Sequence, residues 1–84
     1  MNIEEMDTSR VMETFQKDIE WFYDNLDLLR AKSFTNKFVA IKDKNVISSG
    51  SKIDDVVIDV ENKGQDPSFL VIEFVYPEGA VLLL

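Results

Sequence analysis

Residues 36–51 read Asn-Lys-Phe-Val-Ala-Ile-Lys-Asp-Lys-Asn-Val-Ile-Ser-Ser-Gly-Ser. An apolar run at 38–42 and a second at 46–49 flank a polar step, Asp43-Lys44-Asn45. Asp and Asn tolerate the left-handed backbone angles of tight turns, so the pattern predicts a β-hairpin. Gly50 is expected to free the chain to change direction, and Ser51 with Asp54 three residues later has the spacing of a capping box. The stretch sets a strand–turn–strand–helix order in mid-chain and carries no evident chemistry.

The helix that follows, about 52–63, puts Ile53, Val56, Val57 and Val60 at i, i+3, i+4 and i+7. Gly64 stands where a glycine would end it. The run Val56-Val57-Ile58-Asp59-Val60 suits a strand by propensity, but the spacing and the two end signals favour a helix. Residues 65–68 form a polar loop with Pro67. In 69–76, Leu70, Ile72, Phe74 and Tyr76 fill one face of a strand, and Phe69, Val71 and Val75 fill most of the other, broken by Glu73. A strand apolar on both faces is expected in the middle of a sheet, covered on both sides or by a partner chain. Residues 77–79 end it, and the apolar tail 80–84 is expected as a fourth strand.

Upstream, Met12, Phe15, Ile19, Phe22, Leu26 and Leu29 recur at alternating steps of three and four, the stripe of an amphipathic helix. Asp7 or Thr8 is expected to cap it and Arg30 to lie near its end. Trp21 and Leu28, seven apart, share a second face. They either widen the core or form an exposed patch for a partner. The chain is therefore expected to be a single α+β domain over 1–84, with residues 1–7 frayed and the order α-β-β-α-β-(β). The sheet is expected to be mixed, of three to four strands, with the third strand parallel to the second or beside the first and both helices on one face.

Composition narrows the function. The chain has 84 residues, no Cys and no His. That removes disulfides, thiolate nucleophiles, Cys/His zinc sites and histidine acid–base catalysis. The net charge is −7, with no basic stripe to neutralise phosphates, so direct nucleic-acid binding is not expected. Neither a basic signal start nor an apolar run near the ~20 residues needed to span a bilayer is visible. A cytoplasmic protein without membrane contact is expected.

From Phe38-Val39-Ala40-Ile41 through Val46-Ile47-Ser48-Ser49-Gly50 to Val75-Tyr76-Pro77, the chain resembles a family of small uncharacterised prokaryotic proteins, common in archaea, grouped as a domain of unknown function. The family reads G-K-[WY]-V-A-I, a turn, V-V-A-S-G, a short helix and V-L-V-V-x-V-P. The resemblance spans about 20–84 and includes Trp21-Phe22-Tyr23. Asn36 stands where the family often has Gly, Phe38 replaces Trp or Tyr, and Ser48 replaces Ala. The family implies no activity and no site residues.

Three groupings invite a chemical reading. Asp55 and Asp59, with Asp54 and Glu61 nearby, suggest a hard cation held through water, or simply a solvated acidic helix face. The serines around Gly50 lack any strong base and sit outside phosphate-loop or nucleophile-elbow patterns. Glu73 is expected to face solvent or an edge, or to pair with Lys37 or Lys42, unless burial makes it a functional carboxylate. No catalytic, cofactor or metal residue is assigned, and no cofactor is expected. The expected function is a non-enzymatic protein-interaction or oligomerisation module, contacting itself as a homodimer or another protein through Trp21, Leu28, Phe69, Val71, Val81 and Leu83. The alternative is an acidic, antitoxin-like or inhibitory protein that masks a basic surface; a metal-dependent enzyme ranks third.

Overall fold

Val39, Ala40 and Ile41 are fully buried, and successive side chains of a strand point to opposite faces. A strand buried on both faces needs a layer on each side, and this requirement organises the molecule. The computed structural model describes residues 3–79. It contains α1 (Ile3–Asp24), α2 (Leu26–Ala31), β1 (Phe38–Lys42), β2 (Asn45–Gly50), α3 (Ile53–Asn62), a 3-10 turn (Pro67–Phe69) and β3 (Val71–Phe74). The strand order is β2-β1-β3 and both pairings are antiparallel. This α+β domain thus has an antiparallel sheet, not a mixed one. Its central strand is 38–42, while 71–74 forms an edge. The fourth strand expected at 80–84 lies outside the described residues.

The helices do not share a face, contrary to the expectation from sequence. Val39 and Ile41 join Phe22, Leu29, Val71 and Val75 beneath α1 and α2, with Phe15, Trp21, Leu26, Phe34 and Val46 packed around them. Ala40 turns the other way, to Val56 and Val60 of α3, with Phe38, Ile47, Leu70 and Ile72 alongside. The unbroken run Phe38-Val39-Ala40-Ile41 is apolar to both sides, so one layer of helices leaves half of it wet. At about 25 cal/mol per Å² of apolar surface, covering both faces is the dominant gain.

The buried side of α1 follows the expected stripe at Phe15 and Phe22 and departs from it at Met12 and Ile19. Phe15, Asp18 and Phe22 face inward, whereas Met12 and Ile19 are exposed. Asp18 is only 4 % exposed, and its carboxylate accepts the backbone N–H of Asp43 at 3.3 Å and of Lys44 at 2.9 Å. The hairpin turn has two residues rather than three, with φ of 49° at Asp43 and 62° at Lys44, as a type I′ turn requires. A left-handed lysine costs about 1–2 kcal/mol. Two amides held by a buried carboxylate offset that strain.

Helical backbone begins at Ile3, ahead of the expected cap at Asp7 or Thr8, and it breaks at Asn25 instead of running on to Arg30. The Asn25 side-chain amide donates to the Trp21 carbonyl at 2.8 Å, in competition with the backbone N–H of Asn25 at 3.0 Å. Asn36 has a φ of 63°, the left-handed geometry that suits the glycine of the resembled family.

Around α3 the sequence signals divide. Lys52, not Ser51, is the N-cap residue, and no side chain caps the helix. Gly50 is the last residue of β2 and has no left-handed φ; its role is close approach, since a Cβ there would lie 3.4 Å from Val56 Cγ2. Gly64 behaves as expected. Its φ is 78°, its N–H donates to Glu61 O at 2.9 Å, and Gln65 N–H donates to Val60 O at 3.1 Å, a Schellman closure.

Candidate functional site

The sheet has two edges, and the fold treats them differently. On the β2 edge the register against β1 shifts between Ala40 and Ile41, which leaves Ile47 as the extra residue of a bulge. Lys63 reaches back from the end of α3 and donates its Nζ to the Ile47 carbonyl. The same ammonium pairs with Asp59 at 3.0 Å. The Ser48 hydroxyl is buried and makes no hydrogen bond of full geometry, yet it lies near enough to Asp59 to lower that carboxyl's pKa, ahead of the pull of Lys63. A bulge and a lysine are the devices that stop an edge from recruiting another strand.

The β3 edge has neither. Its register against β1 is regular over Val71–Phe74, and Val-Ile-Glu-Phe contains no lysine and no proline; the bulge at this end of the ladder lies on the β1 side, where Asn36 and Lys37 both oppose Val75. Val75 directs both backbone groups to the β1 side: its N–H donates to Lys37 O at 2.9 Å, and its carbonyl accepts from Asn36 N–H at 2.7 Å. Antiparallel alternation then sends the backbone N–H and C=O of Ile72 and Phe74 outward. No strand pairs with that side among the described residues. At its end the Tyr76 carbonyl accepts from Arg30 Nε at 2.9 Å.

Aromatic side chains border this edge. The Phe74 ring meets Phe38 at 4.9 Å and Tyr76 at 4.8 Å, both edge-to-face. Tyr76 is 43 % exposed, because α3 lies mainly over β2 and β1. Between this edge and α1 and α2 a cavity of about 100 Å³ is lined by Tyr23, Leu26, Arg30, Glu73, Phe74 and Tyr76, among others. Partial burial there raises the Glu73 pKa. Neither lysine expected to pair with Glu73 does so among the described residues; Lys42 Nζ donates instead to Gln65 Oε1 at 2.8 Å.

Trp21 and Leu28, singled out in the sequence, do come together. They line a groove of about 270 Å³ with Phe34, Val46, Lys32 and Lys44, and Leu28 is 45 % exposed. Phe69 is 59 % exposed on the 3-10 turn beside α3, away from that groove. Val71 is buried in the core and is not available to a partner, which corrects its place among the contact residues. Val81 and Leu83 lie outside the described residues. Among the described residues no three carboxylates gather to hold a metal ion, and no helix is long and apolar enough to cross a membrane. Arg30 and Tyr76, absent from the sequence-derived contacts, flank the open edge; Glu73 in an otherwise apolar strand was the signal for it.

No curated protein and no solved structure matches the chain. A family model described as a family of unknown function, DUF5678, matches residues 30–78, which hold both sheet edges, α3, Arg30 and Glu73. The helix end at 21–23, included in the resemblance, falls outside that match. With more than half of its length matched, the chain belongs to the DUF5678 family of unknown function.

Proposed function

We propose that the chain is a small non-enzymatic binding module that engages an extended protein segment along the β3 edge. One observation carries this reading: β2 is sealed by a bulge and by Lys63, whereas β3 over Val71–Phe74 has neither device and bears a single charge, Glu73. Strand addition uses the outward backbone groups for affinity and alternate side-chain pockets for choice of partner. The aromatic border of Phe74 and Tyr76 supplies apolar area for it.

The test removes one outward N–H and leaves the β1–β3 ladder in place. Proline is tolerated on an edge strand where its missing N–H faces outward. The Ile72→Pro chain is expected to keep its far-ultraviolet circular dichroism and to lose the proteins retained by the original chain in affinity capture from native lysate. Undiminished capture by a folded Ile72→Pro chain refutes edge binding.

A second reading, masking of a basic surface, draws on α3, where Asp54, Asp55 and Glu61 are exposed beside exposed Ile58. It requires that the partner be released by salt and that Ile72→Pro leave capture intact.

A further inference from the structure

The β3 edge is self-complementary, and this bears on what occupies it. The outward backbone groups belong to every second residue, Ile72 and Phe74, with Tyr76 continuing the series. An antiparallel strand laid with Phe74 opposite Phe74 matches each outward donor to an outward acceptor: Phe74 bonds its counterpart twice, and Ile72 bonds Tyr76 at both ends. The Tyr76 carbonyl keeps a lone pair for this after accepting Arg30 Nε. Of the registers with the twofold axis on an outward residue, this one alone pairs Ile72, Phe74 and Tyr76 entirely with one another.

Charge points the same way. Arg30 is held at the Tyr76 end of the edge by its bonds to the Tyr76 carbonyl and, at 3.3 Å, to Asp27. In the Phe74-centred register the Tyr76 end of one copy lies beside Ile72 and Glu73 of the other. Glu73 lies on the same face of the sheet as α1 and α2, the face that Arg30 overlooks, and has no ion pair among the described residues. Arg30 and Glu73 of one copy line the same cavity without an ion pair among the described residues, and this register would add the partner copy's Glu73 to the same side. The aromatic border repeats across the axis, Phe74 against Phe74 and Tyr76 against Ile72.

We propose that the occupant of the β3 edge is a second copy of this chain, paired antiparallel about a twofold axis at Phe74, with Arg30 of each copy set against Glu73 of the other. The result is one continuous six-stranded sheet. The proposal rests on the edge-binding reading above and adds the identity and register of the partner. The contact is short and belongs at the small end of specific interfaces, below about 1,200 Å² in total. The dimer therefore forms reversibly and its population depends on concentration.

The absence of cysteine from the chain makes the register testable. Facing residues of a hydrogen-bonded antiparallel pair have Cα atoms about 5.5 Å apart, within disulfide range. The Phe74→Cys chain is expected to oxidise to a covalent dimer. The Ile72→Cys chain is not, since its two sulfurs would be offset by four residues, about 14 Å along the strands. Sedimentation of the unmodified chain is expected to show a monomer–dimer equilibrium. Arg30→Glu should weaken it roughly tenfold or more, and Glu73→Arg in the same chain should restore it to within about threefold. Equal cross-linking at both positions, or an Arg30→Glu loss that the second change fails to restore, overturns the register.

A chain that stays monomeric up to about 1 mM overturns the second copy as occupant. If Ile72→Pro still abolishes capture of a different protein, the edge reading survives and only its occupant changes. If it does not, both fall. A full chain that is monomeric while one ending at Gly79 dimerises names segment 80–84 as the occupant instead.

Discussion

Replacing Asp18 tests whether the hairpin is held from α1. Asp18 accepts two amides of the type I′ turn, at 2.9 Å from Lys44 and at a long 3.3 Å from Asp43. A hydrogen bond to a charged group contributes about 1.5–3 kcal/mol net. Taking the shorter bond in full and the longer one at a fraction gives about 2–3 kcal/mol for Asp18→Ala, with water reaching the exposed turn setting the lower bound. Asp18→Asn keeps the volume but offers only one oxygen and turns an NH₂ toward a second donor, so its loss should be comparable. In a domain of this size each kcal/mol moves the Tm by about 4–8 °C, so either variant should melt roughly 10–20 °C lower. Urea titration followed by circular dichroism should show a fall in midpoint at constant slope, and amide exchange should quicken first at the Asp43 and Lys44 amides of the turn. An Asp18→Asn chain within about 0.5 kcal/mol of the original refutes the staple, since typical surface substitutions cost no more than that.

Two further outcomes follow from single residues. Burial raises the Glu73 pKa above its usual 4.5. In the window between these values the folded state holds more protons than the unfolded one, so stability falls as pH rises through it. The Glu73→Gln chain should accordingly be more stable than the original near pH 7, with the gain shrinking as pH drops toward 4.5; a gain independent of pH refutes the burial cause. The glycines should separate by mechanism. Gly64→Ala meets nothing within 4 Å but forces alanine to a φ of 78°, which costs about 1–2 kcal/mol, whereas Gly50→Ala needs only a few tenths of an ångström from Val56 and should cost less than half as much in urea titration.

The elements were legible in the sequence where local chemistry decides them. The hairpin at 38–49, the α3 spacing of Val56 and Val60 and the Gly64 closure all appear, because turn geometry and helical period act within a few residues. The layering did not appear, for it depends on which strand is central. The decisive contrast is that Phe38-Val39-Ala40-Ile41 is apolar without interruption, while 69–76 contains Glu73, and a strand with a charge on one face suits an edge. The inward turn of Asp18 in place of Ile19 was hidden for another reason. A carboxylate becomes a core residue only when a turn distant in sequence delivers two amide donors to it. Of the candidate site, the meeting of Trp21 and Leu28 follows from helical period. The open edge flanked by Arg30 and Tyr76 requires the strand order, which no local pattern encodes.

The placement of β1 also governs how the domain comes apart. Its Val39 and Ile41 belong to one apolar cluster and its Ala40 to the other, and the backbone between them is bonded on both sides. Peeling off α3 wets the same strand that peeling off α1 and α2 would wet from the opposite side. Neither half therefore has a sub-global opening that leaves the rest intact, and the sheet should exchange its β1 amides only through whole-domain unfolding, as a single foldon.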